Sequence, residues 1–134
     1  MEEIPKTLDW VRVRAECSLH QMFIALREVI DSDVKSIQAR DQRVQYKLMQ
    51  PADGKLVVSR TRNDGGIISG ESVVFELIGD QAVRVKEGRT EQVLFSVKPT
   101  VTSTGECKFH VDGESLPLYA WQVSRKALES LFFR

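Results

Sequence analysis

Between residues 44 and 111 apolar and polar side chains alternate in short runs, and the runs are separated by turn-forming residues. Val44, Tyr46 and Leu48 alternate with Gln45, Lys47 and Met49; the same pattern recurs with Leu56 and Val58, with Val73, Phe75 and Leu77, with Val83 and Val85, with Val93, Phe95 and Val97, and with Cys107, Phe109 and Val111. A period of two puts each apolar set on one face of a strand. Pro51-Ala52-Asp53-Gly54, Asn63-Asp64-Gly65-Gly66, Gly79-Asp80, Glu87-Gly88-Arg89 and Ser103-Thr104-Gly105 punctuate the series at hairpin spacing. Such a chain folds as an antiparallel meander with one apolar face, and another layer must cover that face.

Helical segments supply the cover. Ser18 and Gln21 form a capping box, and Leu19, Met22, Phe23, Leu26, Val29 and Ile30 follow at helical spacing. Asp31-Ser32-Asp33 is expected to end this helix or to cap a short second turn near Val34, with Ile37 and Ala39 opening another strand. A second helix is expected near the C-terminus, with Ser115 as its cap, Pro117 in its first turn and Trp121, Leu128, Leu131 and Phe132 as its stripe. Before the first helix, Val11, Val13, Ala15 and Cys17 alternate with Trp10, Arg12, Arg14 and Glu16, which predicts a strand. The expected fold is α+β: a curved antiparallel sheet of six to eight strands, with a helix in the N-terminal region and a C-terminal helix packed on it. Residues 1–134 are read as a single globular domain, long enough to bury a sizeable core.

This order of elements is similar to the helix-grip arrangement of START-like and Bet v 1-like proteins. The resemblance spans most of the chain and rests on element order. It implies a curved sheet wrapped around the C-terminal helix and an enclosed apolar cavity. A pleckstrin-like module is the alternative, with the first helix as an addition.

Nineteen Lys and Arg balance nineteen Asp and Glu, so the chain lacks the net charge that captures nucleic acid or an anionic membrane in bulk. No apolar run has the roughly 18–20 residues needed to span a bilayer, and the acidic N-terminus does not read as a secretory signal. Two cysteines, Cys17 and Cys107, are few for a small secreted scaffold, so a reducing, cytoplasmic setting with both thiols free and buried is expected. Phosphate-loop, dinucleotide, nucleophile-elbow and metal-binding motifs are absent. No cofactor, metal or catalytic residue is therefore expected.

The function expected is non-catalytic binding of a small apolar ligand between the sheet and the C-terminal helix. Phe75, Phe95, Phe109 and Trp121 would line the site, with His110 on the polar face of its strand near Lys108. Arg60 and Arg62 beside a Gly-rich turn are candidates for anion binding through guanidinium forks. The same turn region, Asn63 to Gly70, is expected to be the loosest internal segment, with Ile67 or Ile68 as a lid. One alternative is a protein-interaction or homodimeric scaffold, with Ile24, Val123 and Phe133 as the partner surface. The other is a small enzyme using His110 with a carboxylate such as Glu76. The expected partners are thus a small apolar ligand or a second copy, with no nucleic acid and no membrane.

Overall fold

A computed structural model describes residues 3–134. Six strands form one antiparallel sheet in chain order: β1 (Gln45–Ala52), β2 (Lys55–Asp64), β3 (Ile67–Ile78), β4 (Ala82–Glu87), β5 (Val93–Val101) and β6 (Cys107–Val111). Helices α1 (Trp10–Glu16) and α2 (Leu19–Arg40) precede the sheet, and α3 (Ala120–Phe132) follows it. The register aligns the apolar sets in rows across the strands. Leu56 lies opposite Phe75, Phe75 opposite Val85, and Val85 opposite Phe95. Val83, Val97 and Val111 make the next row.

Helices α2 and α3 cover this one face. Phe23, Leu26, Ile30, Val34 and Ile37 face inward from α2, and Val123, Ala127, Leu128 and Leu131 from α3. Both helices and all six strands contribute to one buried apolar cluster. Among the described residues, α2 and α3 leave the opposite face of the sheet uncovered.

Several segments depart from the sequence expectation. Trp10–Glu16 is helical because the Asp9 side chain accepts the Arg12 N–H at 3.2 Å and caps the turn, and among the described residues no strand pairs with it in a ladder. The alternation there aligns with no sheet face, and α1 buries none of its residues. Helix α2 runs past Asp31-Ser32-Asp33 to Arg40, so Ile37 and Ala39 are helical. The stripe continues through Val34 and Ile37, while Lys35 donates to Asp31 at 2.8 Å on the outer side.

Helix α3 starts at Ala120 with Tyr119 as N-cap, later than Ser115 and Pro117 imply. Leu118 is held in an extended bridge to Phe109, through N–H to carbonyl bonds of 2.7 Å in both directions, and this delays the helix. The stripe of α3 is also rotated: Val123 is wholly buried and Trp121 is 54% exposed. Val123 is thus unavailable as a partner-surface residue. Residues 63–70 belong to a paired hairpin, not an open loop: Asp64 lies opposite Ile67 and Asn63 opposite Ile68. Gly65 and Gly66, at φ 62° and 91°, supply the two left-handed residues of a tight turn. Ile67 and Ile68 stand exposed on the arm and cover no mouth of the sheet.

The largest chemical correction concerns the thiols. Cys17 and Cys107 are joined in a disulfide, with Cα atoms 5.5 Å apart, and no free cysteine remains among the described residues. Both cysteines lie on the helix-covered side, but only Cys17 is buried as expected, and Cys107 is half-buried. It is this shared side that brings together two residues separated by 90 positions.

Candidate functional site

The helical period builds an apolar groove along the outside of the helix pair. From α2, Ser36, Ile37 and Arg40 face α3; from α3, Trp121, Ser124, Leu128 and Phe132 face α2. Each set follows the three- and four-residue steps that align side chains along one helix side. Phe133, just beyond α3, closes one end of the groove and is 75% exposed. The volume is about 330 Å³. Its lining is mainly apolar, as ligand clefts of this size usually are.

Two polar arrangements shape the floor and the rim. Ser124, buried between the helices, donates its hydroxyl to the Asp33 carboxylate at 2.6 Å and ties α3 to α2. Arg125 is held by Glu129 at 3.0 Å. Arg40, by contrast, makes no hydrogen bond or ion pair among the described residues, and its exposed guanidinium stands at the groove's end. Nearby, the Arg43 side chain donates to Asp41 and holds that carboxyl below its usual range. Phe132 is fixed by an edge-to-face contact with Tyr46, ring centres 5.4 Å apart, whose hydroxyl also donates to the Phe132 carbonyl.

The expected site residues are dispersed over the molecule. Phe75 and Phe109 are fully buried in the core beneath the helices. Phe95 lies at the margin of that core, under the Lys126 ammonium at 5.3 Å. Trp121 alone of the four aromatic residues enters the groove. His110 is on the opposite, bare face of the sheet, in a polar hollow of about 220 Å³ with Lys98, not Lys108. Arg62 is paired with Asp64 at 3.0 Å. Arg60 shares the helix-covered side with Tyr46 across the β1–β2 ladder, and its Nε is buried without a hydrogen-bond partner. The two arginines do not converge on a common site.

Arg40 and Ser36 went unnoticed in the sequence, and Asp33 was read only as part of the helix end, because α2 was expected to stop before the groove begins. The signal was present: the apolar stripe continues through Val34 and Ile37 in step with Phe23, Leu26 and Ile30. Among the described residues, no group of histidine, cysteine and carboxylate side chains has metal-binding geometry, and no helix is long and apolar enough to cross a membrane. Compared with protein-family models, with curated proteins and with solved structures, the chain matches none of them.

Proposed function

We propose that this chain is a non-catalytic binding module whose ligand is small and amphipathic. Its apolar body lies in the groove between α2 and α3, and its carboxylate meets Arg40. The observation that carries this reading is the unpaired Arg40 in a cleft whose exposed lining is mainly apolar and whose other charged groups near α3, Asp33, Arg125 and Glu129, are already partnered. Burial of ligand hydrocarbon supplies affinity at roughly 25 cal/mol per Å² of apolar surface, and the guanidinium orients the head. Relative to the arrangement implied by the helix-grip resemblance, the ligand sits one layer further out.

Trp121 provides the readout. The chain has two tryptophans, so Trp10→Phe leaves Trp121 as the sole indole. Decanoate, titrated below its micellar concentration, is expected to shift Trp121 emission to shorter wavelength with saturation. Arg40→Gln should weaken binding by about ten- to a hundredfold, the range of a lost charge-assisted hydrogen bond. Ser36→Phe should fill the groove and abolish the response. An unchanged Trp121 spectrum, or equal affinity in the Ser36→Phe variant, overturns the proposal.

An interaction or homodimeric scaffold is the second reading. It is favoured by α1, which buries none of its residues and exposes Trp10 and Val11. No catalytic role is proposed: Glu76 is held by Lys86 at 3.2 Å and has no hydrogen bond to His110. The cytoplasmic setting stays an expectation from cysteine count. The Cys17–Cys107 bond weighs against it, since cystines persist in oxidising compartments.

A further inference from the structure

The bare face of the sheet contains a second hollow, chemically unlike the first. Its geometry follows from strand register. Lys98 of β5 lies directly opposite His110 of β6, and Ser96 lies one step along β5 on the same face. The Asp112 N–H donates to the Ser96 carbonyl at 3.0 Å, so Asp112 continues that second row just beyond β6. Side chains directly opposite on one face sit about 5 Å apart at Cβ, within reach of one small ligand. Ala82, at the start of β4, and Ser96 are short. The longer side chains of Gln81, Lys98 and His110 surround them, which leaves the hollow of about 220 Å³.

The polar groups there are not used up by the fold. His110 Nδ1 is buried without a hydrogen-bond partner. Buried nitrogens are seldom left so, because the lost hydration costs about 1–3 kcal/mol. The Lys98 ammonium, the Ser96 hydroxyl and the Gln81 amide likewise have no side-chain partner among the described residues. The surrounding face is basic: the strands turn Lys47, Lys55, Arg84, Lys86, Lys98 and Lys108 outward, against Glu76 on β3, Asp112 just beyond β6 and Glu91, which reaches Lys86.

We propose that this hollow binds a small phosphate ester carrying hydroxyl groups. The phosphate lies against the Lys98 ammonium and the Ser96 hydroxyl, beside the His110 ring that lines the hollow. Asp112, which can only accept when ionised, takes a hydrogen bond from a ligand hydroxyl, and the Gln81 amide serves either end. Asp112 is what selects a hydroxylated ester over a bare anion, because a phosphate alone meets it as a like charge.

Glycerol 3-phosphate, inorganic phosphate and glycerol are the probes, and amide and His110 ring shifts in two-dimensional NMR are the readout. Glycerol 3-phosphate should shift resonances of residues 81–82, 96–98 and 110–112 with saturation, bind at least tenfold more tightly than phosphate, and leave glycerol far behind. Lys98→Gln should weaken both anions at least tenfold, and Lys47→Gln, elsewhere on the same face, should leave both unchanged. Asp112→Asn should remove the ester's advantage while phosphate binds as well or better. His110→Gln checks the imidazole should Lys98→Gln fail to fold. The proposal is overturned by absent or scattered shifts, by equal binding of ester and phosphate, or by equal losses in the Lys98 and Lys47 variants.

Discussion

Gly88 shows how one hydrogen atom can decide a turn. It sits between β4 and β5 and donates its N–H to the Ser72 carbonyl at 2.9 Å. A Cβ at this position would lie 1.8 Å from Ser72 Oγ and 3.1 Å from Ser72 Cβ. Glycine is favoured here by close approach and not by a left-handed φ, since a Cβ would make the Ser72 hydroxyl swing aside and crowd the Ser72 Cβ and carbonyl. The same turn is fastened by Glu87, whose carboxylate accepts from the Thr90 hydroxyl at 2.6 Å and from two backbone N–H groups. Those bonds, the Thr90 hydroxyl first, hold the Glu87 carboxyl below its usual range. Gly88→Ala should therefore destabilise the fold by about 1–3 kcal/mol, the usual cost of forcing an extra methyl into a filled space. Adding Ser72→Gly should recover part of that loss in a double-mutant cycle of denaturation midpoints. Independent, additive effects would mean that the two residues do not touch as described.

At the scale of elements, α1 and the disulfide belong together. Helix α1 buries nothing of its own, and the fully buried Cys17 follows it directly. The Cys17–Cys107 bond anchors this N-terminal segment and the start of α2 to β6. Because it closes a loop with a sequence separation of 90, it constrains the unfolded chain strongly. Replacing both cysteines by serine should leave a folded protein that is less stable by about 2–4 kcal/mol in denaturant, the typical range for such a bond. A midpoint equal to that of the parent protein would show that the bond does not form.

This link also marks where sequence reasoning stops. The six strands were legible because a period of two, broken by Gly and Asp, has few other physical solutions. The Trp10–Glu16 segment was misjudged because seven residues alternate equally well along a strand or a short capped helix. In α3, Trp121 was the largest apolar side chain and drew the stripe towards itself, whereas Val123, read as lying off the stripe, is the residue wholly buried. The groove depends on which sides of α2 and α3 face each other, and the cystine on which strands meet α2. Both are tertiary facts with no local sequence signal.

For the molecule as a whole, a net charge of zero conceals an uneven surface. Strand alternation directs Lys47, Lys55, Arg84, Lys86, Lys98 and Lys108 to the bare face of the sheet, opposed by Glu76 on β3 and by Asp112 just beyond β6. Glu76 engages Arg84 and Lys86, and Lys108 lies 4.2 Å over the Tyr119 ring. Lys47, Lys55 and Lys98 have no such partner among the described residues. A chain that sums to zero must then carry its compensating carboxylates elsewhere, so charge is segregated between surfaces. A planar charged matrix responds to the nearest face, since in 0.1 M salt charges beyond about 10 Å are largely screened. At pH 7 the protein should therefore be retained on a cation exchanger despite its neutrality. Lys47→Gln, Lys55→Gln and Lys98→Gln combined should lower the salt needed for elution. Lys35→Gln, Arg125→Gln and Lys126→Gln combined remove the same charge from α2 and α3, all three from ion pairs, with Asp31, Glu129 and Glu114. They should change elution much less. Equal shifts from the two triple variants would show that retention follows net charge alone, and that the bare face has no electrostatic identity of its own.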